Sequence, residues 1–97
     1  MAVCALFECP GVTQVQYYEA VKKVTGGRSG KTLADWSAPG LLLHVAGPTP
    51  NGWRVVDVWE SEADLMKFAG RLMPILKSLG FPDISPQVIP AHNFVMS

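Results

Sequence analysis

The chain has 97 residues, 48% of them apolar, and its 8 acidic and 8 basic side chains cancel to a net charge of zero. This length supports one domain with a small hydrophobic core, so we expect a single domain over residues 1–97. A chain without net charge has no uniform field to attract polyanions, which argues against binding to nucleic acid or to an anionic membrane. A domain this apolar and this weakly charged often hides surface against a second copy, and we expect a homodimer.

The N-terminal segment predicts a central strand, Ala2–Cys9, which a Pro-Gly pair ends. This segment lacks a basic leading region, Glu8 interrupts it, and no later stretch reaches membrane-spanning length, so we expect a cytoplasmic protein. Cys4 and Cys9 lie five positions apart on the strand and point to opposite faces, which makes a mutual disulfide geometrically poor. We expect two buried thiols.

A helix and a long loop follow. Thr13 and Gln16 fit a capping box, and apolar residues at helical spacing continue to a Gly-Gly pair, which predicts a helix over about Thr13–Thr25. The connection Gly27–Gly40, which contains Trp36, is long for so small a domain. Long loops of this kind often serve as lids or binding loops.

Part of this loop, Gly30-Lys31-Thr32, is similar to the end of a phosphate-binding loop. The complete motif needs a glycine five positions before Gly30, where this chain has Thr25. It should also follow a strand, whereas this loop follows a helix. We therefore expect a flexible loop here and no nucleotide site.

The segment Leu41–Ser61 predicts a β-hairpin. Two runs rich in branched and aromatic residues, Leu41–Gly47 and Trp53–Glu60, flank a turn at Pro48–Gly52 that holds two prolines and an Asn-Gly pair. Side chains alternate along a strand, so one face of the hairpin carries a candidate site. That face holds Leu42, His44, Ala46, Trp53, Val55, Asp57 and Trp59.

The turn decides how this face is arranged. A two-residue turn at Asn51-Gly52 places His44 opposite Trp59, whereas a four-residue turn places His44 opposite Asp57. Both registers keep His44, Asp57 and the two tryptophans on one face. A loop of odd length would separate them.

A capping signal then begins a second helix, Glu62–Leu79, which Pro74 should kink or restart. The segment Gln87–Met96 predicts a last strand, and Pro90 inside it favours an edge strand or a bulge. The order strand, helix, strand, strand, helix, strand predicts an α+β ferredoxin-like fold with two helices on one face of an antiparallel sheet. The other sheet face needs a cover, which favours dimerisation through the sheet faces.

His44 has the clearest catalytic potential, because histidine accepts a proton near neutral pH and the Asp57 carboxylate on the same face would orient it as a general base. The alternative is a structural cross-strand pair, since a carboxylate inside an apolar strand needs a partner. Trp53 and Trp59 either wall a flat pocket for an aromatic ligand or belong to the core or the dimer interface. The two histidines have no cysteine or carboxylate at metal-ligand spacing, so we predict no metal site.

The segment Asp57-Val58-Trp59-Glu60-Ser61, followed by an apolar helix, resembles the dimeric α+β barrel proteins of the antibiotic biosynthesis monooxygenase type. Three further segments resemble small members of that superfamily, namely residues 44–48, 52–57 and 90–93. The resemblance implies two sheets that close into a barrel across a two-fold axis, with a cavity between sheet and helices in each subunit.

Characterised relatives oxidise quinols or polycyclic phenols with oxygen and without metal or flavin, so the resemblance implies no cofactor. It also implies that His44 is the base, oriented by Asp57, and that Trp59 occupies the family's tryptophan position. Some relatives carry a histidine on the second helix, where Phe68 stands in this chain, so haem ligation is not expected. The expected ligand-binding residues are Trp53, Trp59, Trp36, Phe68 and His92.

Three functions remain open from the sequence. The first is a cofactor-independent monooxygenase, or a related proton-transfer enzyme, that acts on a small aromatic or enolic substrate. The second is a non-catalytic dimer that binds a small apolar molecule, with the loop Gly27–Gly40 as a lid. The third is an interaction module in which His44 and the tryptophans are core residues.

Overall fold

The computed structural model describes residues 1–96, which form one sheet and three helices. The strands are β1 (Val3–Pro10), β2 (Leu41–Thr49), β3 (Gly52–Trp59) and β4 (Gln87–Pro90). The helices are α1 (Gln14–Val24), α2 (Leu33–Trp36) and α3 (Glu62–Ser78). All strand pairs are antiparallel, in the order β2-β3-β1-β4. This arrangement confirms the predicted ferredoxin-like fold.

Helix α1 begins at the predicted capping box. The Thr13 hydroxyl accepts a hydrogen bond from the Gln16 amide at 3.2 Å, and the Thr13 amide donates to the Gln16 side chain at 3.0 Å. These bonds satisfy amides that the first helical turn would leave without partners. The helix is therefore fixed at the end that precedes Tyr17, whose amide donates to the Thr13 carbonyl.

Helix α3 runs without interruption through Pro74, so the predicted restart is wrong. Proline removes one backbone donor and crowds the preceding turn. Leu65, Phe68 and Leu76 anchor the helix in the core on both sides of this position. Their packing holds the helix together despite the missing bond.

The predicted loop Gly27–Gly40 contains a short helix that the sequence pattern did not indicate. The Thr32 hydroxyl accepts from the Asp35 amide at the start of α2, and Ser37 ends the helix in the left-handed conformation. One turn is too short for hydrophobic periodicity to reveal it. Its consequence is that Trp36 is buried against the sheet.

The hairpin turn consists of Pro50 and Asn51, and His44 pairs with Asp57. The strands have the register predicted for a four-residue turn. Thr49 also pairs with Gly52, which shortens the turn to two residues. Gly52 is required there, because a Cβ atom would lie 2.2 Å from the Cys9 carbonyl oxygen. The hairpin therefore closes tightly against the end of β1.

A β-bulge between Leu41 and Leu43 changes the alternation at the start of β2. Leu41 pairs with Trp59 and is buried in the core, whereas simple alternation predicts it on the opposite face from His44. An extra residue in one strand reverses the side-chain direction beyond it. Sequence alternation cannot show where such a residue lies.

Strand β4 is shorter than predicted and ends at Pro90, so the predicted extension to Met96 is wrong. The prediction of an edge position is confirmed, because β4 pairs with β1 alone within residues 1–96. Pro90 has no amide to donate to β1, and a backbone bond from the Ala91 amide to the Ala2 carbonyl, at 2.8 Å, follows the end of the strand. His92 and Asn93 consequently lie beyond the strand.

The two long helices pack on one face of the sheet, where the buried residues form one cluster that includes Phe7, Val21, Trp53, Trp59 and Phe68. The face with Trp53, Asp57 and Trp59 is thus the helix-covered face. Within residues 1–96, none of the helices is long and apolar enough to cross a membrane.

Candidate functional site

The centre of the candidate site is the cross-strand pair of His44 on β2 and Asp57 on β3. His44 Nδ1 lies 2.7 Å from Asp57 Oδ1, and the side chains are 14% and 5% exposed. A carboxylate accepts hydrogen bonds, so Nδ1 carries the proton and donates it. This tautomer leaves Nε2 of the neutral imidazole as an acceptor.

Tyr17 on α1 completes a chain of three groups. Its hydroxyl lies 2.6 Å from His44 Nε2 and donates to it in this tautomer. Burial, followed by the nearby Tyr18 and the Asp57 charge, raises the pKa of Tyr17 well above its usual range. The hydroxyl therefore stays protonated across the neutral range.

Tyr17 lies within the helix that the sequence predicts over Thr13–Thr25, but the sequence pattern did not assign it to the site. The signal that was available is its position on the apolar face of α1, one turn after the capping box. That face had to pack on the sheet face that carries His44. The pattern does not distinguish a core tyrosine from one whose hydroxyl reaches a strand residue.

Aromatic rings surround the His44 imidazole. The Tyr17 ring stacks on Trp53 with centroids 5.1 Å apart, and the Trp36 ring lies 4.5 Å from the imidazole. Stacked rings of this kind resist rotation because each fills the space beside the other. The walls hold the imidazole in one orientation.

Hydrogen bonds within the loop and from α3 hold the loop that carries Trp36. Trp36 Nε1 donates to the Gly30 carbonyl at 3.0 Å, and Arg71 on α3 donates to the carbonyls of Trp36 and Ser37 at 3.1 and 3.2 Å. The Arg71 guanidinium also lies over the Phe68 ring. The loop thus closes one side of the site in the described structure.

An apolar cavity lies between the sheet and the helices, with an empty volume of about 610 Å³ that includes its open mouth. The cavity volume that water-sized molecules can reach is about 60 Å³. This is room for several waters, so a bicyclic ligand requires side chains to move. Predicted site residues that line the cavity are His44, Asp57, Trp53, Trp36 and Phe68.

Two predicted site residues do not line the cavity. Trp59 is fully buried below it and packs against Phe68, because it sits at the end of β3 under the start of α3. His92 is exposed and lies past the end of β4, since the strand stops at Pro90. Neither side chain is placed to touch a ligand in this cavity.

Cys9 was expected to be a buried thiol, and it is buried at the cavity wall, where burial raises the pKa of the thiol. Cys4 lies on the other sheet face and is only half-buried, so the expectation of a second buried thiol is wrong; both cysteines are free. Within residues 1–96, no group of three or more His, Cys, Asp or Glu side chains is arranged to hold a metal ion. The titratable side chains at the cavity wall are Cys9, Tyr17, His44 and Asp57.

The fold and the site define a class: a ferredoxin-like α+β domain with an apolar cavity under its helices and a histidine–carboxylate pair in the cavity wall. No family model and no curated protein sequence matches the chain. Solved structures do share its fold. They include a variant of SnoaB, a cofactor-independent oxygenase from Streptomyces nogalater, with 10% identity, a TM-score of 0.64, and coverage of 99% of this chain and 97% of that one.

Two further structures are similar. One is a monooxygenase from the gene ActVA-Orf6 of Streptomyces coelicolor in complex with nanaomycin D, at 19% identity, TM-score 0.56, and coverage of 99% and 91%. The other is a dimeric ferredoxin-like protein from an uncultured marine organism, at 16% identity, TM-score 0.58, and coverage of 99% and 92%. One of these neighbours is a cofactor-independent oxygenase and another is a monooxygenase, so the chain shares its fold with enzymes of the kind that the sequence resemblance pointed to. At such identities the likeness establishes the fold, and the reaction must be argued from the site.

Proposed function

We propose that the protein is a cofactor-independent monooxygenase, or a related proton-transfer enzyme, for a small aromatic or enolic substrate bound in the apolar cavity. The observation that carries this proposal is the 2.7 Å contact between His44 Nδ1 and Asp57 Oδ1 in the cavity wall. It gives His44 a fixed tautomer and a counter-charge, which are the two properties that a general base needs.

Proton removal is the step that this pair supports. A phenolic or enolic substrate loses its hydroxyl proton toward His44, and the Asp57 carboxylate stabilises the imidazolium that forms. The cost of burying a lone positive charge is avoided, because the carboxylate is already in contact. The substrate becomes an electron-rich anion.

The cavity supports the later step. An electron-rich anion reduces oxygen itself, and a wall built from aromatic and aliphatic side chains keeps water away from the intermediates. Trp36, Trp53 and Phe68 offer flat apolar surface to a planar ring. We assign these three side chains to substrate binding.

A second candidate function is binding of a small apolar molecule without turnover. The observation that favours it is that the Tyr17 hydroxyl already occupies His44 Nε2, the acceptor that a base would use. In this case the three polar groups satisfy one another and the cavity alone recognises the ligand.

We also propose a homodimer through the helix-free face of the sheet. Apolar side chains of three strands lie there, among them Leu6, Val45 and Val56, and Val45 is 56% exposed. An apolar sheet face in contact with water is unfavourable, and a second copy would cover it symmetrically. The cavities lie on the opposite face and remain accessible in such a dimer.

The proposal is tested with a panel of naphthols, anthrones, quinols and small enols. A compound that binds the native state raises the melting temperature, and we expect a planar phenol to do so in the wild type and less in His44→Ala. Compounds that bind are then assayed for oxygen uptake. We expect uptake in the wild type and its loss in a folded His44→Ala protein.

The matched control is His92→Ala, because His92 is exposed and lies outside the cavity. This variant should retain both ligand stabilisation and oxygen uptake. Turnover that persists in His44→Ala would reject His44 as the base. Saturable binding without oxygen uptake or any product would instead favour the second candidate.

A further inference from the structure

The position of the Tyr17 hydroxyl has a direct consequence for proton transfer. His44 has two ring nitrogens, and the structure engages both, Nδ1 with Asp57 and Nε2 with Tyr17. A ligand in the cavity therefore does not find a free nitrogen on the base. It finds the Tyr17 side chain, which also lines the cavity.

We infer that Tyr17 is a catalytic residue that relays the proton from the hydroxyl of a phenolic or enolic ligand to His44. This inference rests on the proposed function, since it specifies how the base assigned there receives its proton. It also narrows the ligand class to molecules with an acidic hydroxyl group that can donate to the Tyr17 oxygen.

The relay balances in atoms and charge. The Tyr17 O–H bond breaks as its proton forms an N–H bond at His44 Nε2, and the ligand's hydroxyl proton forms a new O–H bond on Tyr17. Tyr17 begins and ends neutral. The negative charge appears on the ligand oxygen and the positive charge on the imidazole, next to the Asp57 carboxylate.

The chemistry of the hydroxyl permits both contacts at once. A tyrosine hydroxyl donates one hydrogen bond and has lone pairs that accept others, so it can donate to Nε2 while it accepts from a ligand. Burial raises the pKa of Tyr17, which disfavours a free tyrosinate and favours a transfer in which the two protons shift together.

The other titratable groups at the cavity wall do not offer this route. Cys9 lies on β1, and burial raises the pKa of its thiol, which makes it a poor proton acceptor at neutral pH. Asp57 is engaged by His44 and is buried. Tyr17 is the side chain in direct contact with the nitrogen that becomes protonated.

The test measures ligand ionisation without turnover. Wild type, Tyr17→Phe and Tyr18→Phe are titrated under anaerobic conditions into 4-nitrophenol and 2-naphthol, whose ionised forms absorb at longer wavelengths. We expect wild type to lower the apparent pKa of the bound phenol by about one unit, a tenfold gain in ionisation. Tyr17→Phe should bind the same compounds without that shift.

Tyr18→Phe is the matched control, because Tyr18 is the neighbouring tyrosine and is 53% exposed. It should behave as wild type. Ionisation by Tyr17→Phe equal to that of wild type would overturn the relay, as would a wild type that ionises neither compound. A clear ionisation shift without oxygen uptake in air would support the relay and reject the oxygenase.

If Tyr17→Phe is poorly folded, the variant His44→Gln supplies a second test. Glutamine retains a polar side chain at this position but is not a base. Loss of the ionisation shift with retained binding supports transfer to His44. A shift that survives in His44→Gln contradicts the relay, because the final acceptor is then a different group.

Discussion

Three polar side chains from three elements meet in the wall of an otherwise apolar cavity. Tyr17 comes from α1, His44 from β2 and Asp57 from β3, and hydrogen bonds of 2.6 and 2.7 Å join them. Each would be costly to bury alone, so their mutual contacts are a condition of folding as well as of chemistry. The same bonds are the path of the proton relay that we propose.

Burial of Tyr17 predicts a specific loss of stability in alkali. Its pKa is raised in the folded state, so above the ordinary tyrosine pKa of about 10 the unfolded chain releases a proton that the folded chain retains. Release favours unfolding, and the Tyr17 contribution is fully present below about pH 10 and declines as the pH rises further. Tyr17→Phe should lose less unfolding free energy between about pH 9 and about pH 11 than wild type.

The measurement is urea unfolding of both proteins at the two pH values. Tyr18→Phe serves as the comparison, because it removes an exposed tyrosine and should keep most of the alkaline loss of the wild type, since burial is the main cause of the raised Tyr17 pKa. Equal losses in wild type and Tyr17→Phe would mean that Tyr17 titrates as freely in the folded protein as in the unfolded chain.

At the scale of elements, the loop Gly27–Gly40 is an ordered wall of the site. Its short helix α2 places Trp36 beside His44, and Arg71 from α3 binds the two carbonyls at the end of α2. Carbonyls at a helix end have no partner inside the helix, so a cation from a neighbouring helix satisfies them. The Arg71 side chain therefore couples the loop to α3 by hydrogen bonds.

The variant Arg71→Met should loosen this loop without unfolding the domain. Methionine retains apolar contact with Phe68 but donates no hydrogen bond, and we expect the loop to lose about 1 kcal/mol of opening free energy. Hydrogen exchange over residues 31–40 should become about fivefold faster, with the strands unaffected. Lys77→Met removes another cation of α3 and is the control. Unchanged loop exchange in Arg71→Met would show that Trp36 is held by packing alone.

At the scale of the whole molecule, the sheet has two unlike faces. Helices α1 and α3 cover the face that holds the cavity, and apolar strand residues occupy the other face. One charged pair, Glu8 with Arg54, lies at the edge of that second face. In a small domain, an apolar sheet face without helices is a suitable surface for binding a second copy of the chain.

The variant Val56→Asp tests the dimer. A carboxylate in the middle of the apolar sheet face would be buried without a partner in a dimer but solvated in a monomer. We expect light scattering to give twice the 10.5 kDa chain mass for wild type and the single mass for Val56→Asp. Val15→Asp makes the same substitution at an exposed position of α1 and should remain dimeric. A dimeric Val56→Asp protein would place the interface elsewhere.

The sequence by itself determined the four strands, the two long helices and their order. The capping box at Thr13, the helical spacing after it, and the two branched runs around the Pro-Asn turn are local signals, and each acts within a few residues. Their order was sufficient to predict the ferredoxin-like fold. Alternation along the hairpin placed His44 and Asp57 on one face for a turn of even length, and the turn has two residues.

Only the tertiary structure decided what meets in the cavity. The hairpin register, the bulge before Leu43, and the approach of Tyr17 to His44 depend on contacts between residues far apart in the chain. Local patterns contain no information about such distances. The same reason explains why Trp59 lies beneath the cavity and why His92 lies outside it. A strand pattern gives the direction of a side chain, whereas packing decides which neighbour fills the space in front of it.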